Sequence, residues 1–268
     1  MSEEASTGAT ASRVRTFRNF VGSAGALLLV LCVIPPFYGW SRRYEFVQAA
    51  QFLSFAVLVP ALLVVGSPWR WLRLAGSIPP RVDDDGHLDA AHSLRLIDRY
   101  ALARTRQGRN VRALWLMVVF LALTIFWRSA PAVDFTVRHG WVVVLEALST
   151  VLVGVVLWTD LVESPPLTPG ATRPYRIAMA AVAMWTIWIL AYLDAMSRSS
   201  WYSVFPHVAG HGLSQAADQQ FSAGVMWFLS AAAFMPVVFW NLVHWLQSDE
   251  DPTDELNRLI KRERTLGF

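Results

Sequence analysis

Residues 219–248, QQFSAGVMWFLSAAAFMPVVFWNLVHWLQS, contain no Lys, Arg, Asp or Glu. An α-helix rises about 1.5 Å per residue and a bilayer's hydrocarbon core is about 30 Å thick, so roughly 20 apolar residues make one crossing. This stretch is long enough to span a membrane. Charge is missing in the same way from Asn19 to Ser41, Phe46 to Trp69, Ala113 to Trp127 and Ile177 to Leu193, and Gly140 to Thr159 holds only Glu146. The Ala113–Trp127 run is short, and Arg112 and Arg128 at its ends are expected to snorkel toward the headgroups and lengthen it.

These gaps predict an all-α polytopic membrane bundle of about six transmembrane helices, near residues 19–39, 46–66, 112–129, 140–161, 176–195 and 219–246. The membrane domain would run from 19 to 247. It contains a loop (70–111) and is flanked by an N-terminal tail (1–18) and a C-terminal tail (248–268). With 54% hydrophobic residues in 268, including 13 Trp and 15 Phe, composition alone would also suit a large soluble domain; the distribution separates the two.

Orientation follows from the excess of Lys and Arg in cytoplasmic loops. With the N-terminus inside, only Arg42, Arg43, Arg128, Arg138 and Arg198 of the 23 basic residues fall outside. Both termini are therefore expected in the cytoplasm. The polar, then basic, N-terminus leads into an apolar run without a convincing small-residue cleavage site, and reads as a retained first helix. Cys32 is the only cysteine, which leaves no disulfide framework. The net charge of +3 suits an anionic leaflet, and no nucleic-acid motif is present.

In the 70–111 loop, Pro79 and Pro80 precede an Asp83, Asp84, Asp85, Gly86 turn. Leu94, Ile97 and Ala101 then fall at helical spacing among arginines. A membrane-surface amphipathic helix and a solvated linker both fit this pattern. Prolines in the 163–173 connection imply a tight hairpin between spans four and five. No internal or inverted repeat is visible, which argues against a secondary transporter.

Polar groups inside a span are costly and are candidates for function. Gln48 and Gln51 fall in the outer half of span two, Glu146 in the outer part of span four, and Asp218, Gln219 and Gln220 at the outer start of span six. They either hydrogen-bond helix to helix or line a functional pocket. Glu146, Thr150, Gly154 and Leu157 form one helical stripe; Gln219, Ser222, Ala223, Met226, Ser230 and Ala233 form another, and the two are expected to face each other. A metal site would draw on His139, His207 and His211, the last two at i, i+4 spacing, with Met196 and Met226 as soft ligands. His244 reads as an interfacial residue, and His87 and His92 have no evident partners.

Asp218-Gln219-Gln220, with Gly224 and Met226-Trp227 downstream, resembles the segment opening the last helix of CtaG-type cytochrome c oxidase assembly factors. Residues 60–68, with Pro60, Gly66 and Pro68, are similar to the end of that family's early helix, and Glu146, Gly154 and Trp158 to a later one. The resemblance covers most of the chain. Thr150 and Gly154, a small-residue pair on their stripe, are expected to serve helix packing together with Gly224, Met226 and Trp227. The resemblance implies a bacterial plasma-membrane assembly or maturation factor for a haem-copper oxidase, with oxidase subunits as partners, copper insertion as the linked chemistry and no catalysis. Copper is the one cofactor implied. Where the family carries histidines, this chain has Val47, Gln51, Arg128 and Ala147, so the expected copper ligands are largely replaced. A structural accessory subunit and a small-solute or metal transporter are the alternative functions.

Overall fold

The computed structural model describes residues 2–69, 100, 109–165, 167–197, 199–205 and 212–247. The 70–111 amphipathic segment, apart from Tyr100 and its last few residues, the C-terminal tail, His207 and His211 lie outside the described residues. Among them the chain is helical, with one isolated bridge between Ser164 and Leu167. The helices are α1 (Ser2–Val33), a short α2 (Phe37–Ser41), α3 (residues 45–66), α4 (Arg109–Trp127), α5 (Ala130–Arg138), α6 (Val142–Leu161), α7 (Arg173–Met196) and α8 (Gln215–Gln247). Five are long and apolar enough to cross a membrane by themselves, and α4 with α5 makes a sixth, bent by 63° at the break. The bundle is that of a membrane protein with five to six crossings.

The third span breaks after Arg128 for local reasons. Ser129 adopts extended backbone and Pro131 sits in the first turn of α5, where its missing N–H costs nothing. The α5 helix then buries Ala132, Val133, Thr136 and Val137 on one face while Phe135 and Arg138 stay exposed. This is an amphipathic pattern, distinct from the all-round apolar surface of α4.

The central element is α3, with two thirds of its spanning window inside the bundle, against 17% for α1. It packs on α1, α6 and α8, while α7 and α8 form the most extensive helix pair. Its middle turn, Ser54–Leu58, is a π-turn leading into Pro60. Pro60 has no N–H to give the Ala56 carbonyl, so the α-helical ladder is interrupted there. Gly154 of α6 packs against this point: a Cβ on it would lie 2.7 Å from the Ala56 oxygen and 2.5 Å from Pro60 Cγ. At the far end of α3, Gly66 meets Gly22 of α1 backbone to backbone, and a Cβ on Gly66 would come within 2.3 Å of Gly22. Close approach through small residues, gaining dispersion contacts, is how helices associate where lipid removes the hydrophobic driving force.

The two small-residue stripes do not face each other. The α6 stripe meets α3 through Gly154, and the α8 stripe turns to α7, where Ser222 reaches Asp194 and Ser230 accepts from Trp188. Since α3 is the central helix, it takes the surface that α8 was expected to offer α6. Direct contact between α6 and α8 includes the stacked Trp158 and Phe234 rings, 5.3 Å apart.

Gly66→Ala and Gly154→Ala should each destabilise the bundle by about 1–3 kcal/mol through overpacking. Gly224→Ala should be neutral, because a Cβ there meets nothing within 4 Å. Thermal midpoints of the three variants in detergent would test this ranking, and a Gly66→Ala midpoint equal to that of Gly224→Ala would refute it.

A buried arginine cluster as the candidate functional site

The polar residues gather at the end of the bundle where α3, α6 and α8 begin and α1, α4 and α7 finish. Helix ends leave backbone groups without partners, and a bilayer offers no water to meet them. Side chains from other helices do so here. Asp218, in the first turn of α8, accepts the Glu45 N–H at 2.9 Å and the Phe46 N–H at 3.1 Å, so one carboxylate caps the N-terminus of α3. Gln219, next in sequence, donates its amide to the Asp194 carbonyl and to the Ser197 carbonyl at 3.4 Å, at the C-terminus of α7. Gln51 donates to the Cys32 carbonyl in the last turn of α1 at 2.6 Å. The carboxylate meets the positive helix end and the amide donors meet negative ones.

Arg128 lies inside this ring, 3% exposed. Its Nη1 donates to Gln48 Oε1 at 2.6 Å and its Nη2 stands 3.7 Å from Asp194 Oδ2. The guanidinium carbon lies 5.0 Å from the centre of the Tyr202 ring and 5.9 Å from that of Phe52. Tyr202 also donates its hydroxyl to the Arg128 carbonyl at 3.2 Å. Burial holds the Tyr202 phenol's pKa above its usual range, with Arg128 pulling the other way. Glu45 is wholly buried beside Asp194, and Ser222 donates to Asp194 Oδ2 at 3.2 Å. Glu146 is 1% exposed, and neither of its carboxyl oxygens meets a donor.

Gln48, Gln51, Glu146, Asp218 and Gln219 are all buried at this end, whereas Gln220 is exposed. Thr150 donates to the Glu146 carbonyl at 2.5 Å, Met226 is fully buried, and Trp227 stacks on Trp188 at 5.1 Å. Gly224 opens onto a groove between α7 and α8 instead of packing against a helix. His139 is exposed, its Nδ1 3.1 Å from the Phe135 carbonyl. Among the described residues no three His, Cys, Asp or Glu side chains are grouped to hold a metal.

Three charged members of the cluster, Glu45, Arg128 and Asp194, are additions to the sequence reading. Arg128 does not snorkel, because Gln48 and Asp194 offer it partners inside the bundle. Glu45 and Asp194 sit one residue beyond the uncharged runs, where a charge ordinarily reaches water. The only sequence signal was their position directly at the span margins. Arg112 likewise turns inward at the opposite end, 2.7 Å from the buried Asp160.

The cluster does not fit copper. Its donors are carboxyl and amide oxygens, unlike the imidazole and sulfur ligands that suit cuprous ion, and the Arg128 guanidinium already brings a positive charge.

Over residues 6–248 the chain matches the family model described as cytochrome c oxidase caa3 assembly factor (Caa3_CtaG). No curated protein and no solved structure matches it.

Removing a buried charge partner is strongly destabilising, so Arg128→Leu should cost about 3–5 kcal/mol. Arg128→Lys should fall between, keeping the charge but losing the planar fork. Asp218→Ala, which strips the cap from α3, should cost about 1–2 kcal/mol. Thermal unfolding in detergent measures all three, and an Arg128→Leu protein as stable as the parent would contradict the central role given to the guanidinium.

Proposed function

This chain belongs to the cytochrome c oxidase caa3 assembly factor family, and from that premise we propose that it works as a non-enzymatic maturation scaffold for a haem-copper oxidase in a bacterial plasma membrane. The family match over residues 6–248 carries this reading, and the membrane-spanning helices fit it. Its partners in this reading are oxidase subunits. The excess of Lys and Arg in alternate loops supports cytoplasmic termini and a cytoplasmic 70–111 loop. That orientation puts the Arg128 cluster and α5 on the outer side.

The contribution we assign to the chain is holding a partner subunit during assembly, rather than ligating copper. The fixed guanidinium of Arg128 among oxygen donors supports this division. His139, His207 and His211 are retained as the candidate positions for any outer metal contact.

Deleting the gene should lower the oxidase haem absorbance and the oxidase copper content together, because a subunit that is not assembled holds neither cofactor. An unchanged, fully active oxidase would overturn the assembly role. Purified protein loaded with cuprous ion should retain less than one equivalent. Recovery at one copy per purified oxidase would point instead to an accessory subunit.

A further inference from the structure

The Arg128 end buries more carboxyl groups than it has cations to match. Glu45 comes from α3, Glu146 from α6, Asp194 from α7 and Asp218 from α8; Arg128 follows α4, and the Tyr202 phenol comes from the adjoining loop. Asp218 is answered by the two N–H groups at the start of α3. Asp194 Oδ2 is answered by Ser222 and by the Arg128 guanidinium. Asp194 Oδ1 and both oxygens of Glu45 meet no donor, and the two carboxyls are neighbours in the buried cluster.

Two ionised carboxylates in contact, out of water and beside one guanidinium, would carry both a repulsion and an unpaired buried charge. A single proton between them removes both. Placed on Glu45, whose oxygens have no other donor, it bridges to Asp194 Oδ1. The one negative charge remaining, on Asp194, is matched by Arg128. A second observation points the same way. Gln48 is 1% exposed, its Oε1 taken by Arg128, and its Nε2 is buried with no acceptor. With Arg128 Nε and Nη2, which also make no hydrogen bond, the cluster thus offers unused donors as well as unused acceptors, which suits a proton exchanged through water.

We propose that Glu45 and Asp194 form a proton-binding dyad at the Arg128 end of the bundle, with the proton carried by Glu45 and exchanged with hydronium. Loading moves one proton from hydronium onto a Glu45 carboxylate oxygen and returns a water molecule. No electron transfer is involved. Glu146, on α6, is influenced by Arg128 but by neither member of the dyad, and with both oxygens unpartnered it supplies a separate buried carboxyl for comparison.

Infrared spectroscopy of the full-length protein in lipid nanodiscs, at neutral pH, in light and heavy water, reads protonated carboxyls by their C=O stretch. The parent protein should show the band. Glu45→Gln should remove one carboxyl's share of it. Asp194→Asn should remove the same share, because Glu45 then ionises against Arg128. Glu146→Gln should leave that share in place, and Arg128→Gln should enlarge the band, since a second proton is then needed. Far-ultraviolet circular dichroism establishes that each variant is folded. Carboxyl-labelled glutamate in the Glu146→Gln protein tests the dyad with Glu45 and Asp194 intact, and the band should shift. A band unmoved by that label, or unchanged in folded Glu45→Gln and Asp194→Asn proteins, would overturn the proposal.

Discussion

A guanidinium turned away from the protein surface governs this end of the molecule. Arg128 can stay buried only because Gln48 takes one of its N–H groups, Asp194 supplies opposite charge, and the rings of Phe52 and Tyr202 lie close to its carbon. These partners come from α3, α7 and the loop before α8, so one side chain ties together three parts of the chain distant in sequence. Replacing such a network with apolar residues can be neutral for stability, but removing one member leaves the rest uncompensated. The cluster is better understood as fixing which helices are neighbours than as adding net stability.

Around it, the polar residues follow one electrostatic rule. Asp218 offers its carboxylate to the N-terminus of α3, and Gln219 and Gln51 offer amide N–H groups to the C-termini of α7 and α1. Adjacent residues of the last span thereby hold the ends of two different helices. This gives a physical reason for an acid followed by an amide: exchanging the two would aim an acceptor at carbonyls. The same need explains why polar side chains occupy the margins of spans otherwise filled with Leu, Val, Ala and aromatic residues.

The spans were legible because charge is excluded from a bilayer, and the gaps between charges can be read without knowing any contact. Gln48, Gln51, Glu146, Asp218 and Gln219 stood out for the same reason, as polar groups inside such gaps. Glu45, Arg128 and Asp194 did not, because a charge at a span margin normally reaches the headgroups, and only the fold shows that these three turn inward. Pairing was also hidden. Gly154 and the α8 stripe each present a surface suited to close helix contact, but nothing in their spacing says that α3 takes one and α7 the other. The π-turn ahead of Pro60 and the bend after Arg128 depend on packing as well as on proline, so the sequence marked where they could occur without specifying either.

The capping of α3 by Asp218 also bears on how the protein is made. The two residues whose N–H groups are capped, Glu45 and Phe46, precede Asp218 by 173 and 172 positions. During synthesis the first spans therefore enter the membrane long before the carboxylate that completes them has been translated. Until the last helix arrives, the start of α3 lacks its partner and the end of α7 lacks Gln219. A chain that stops short of α8 leaves both ends open within the bilayer, which makes the final span the element that separates a finished molecule from a nascent one.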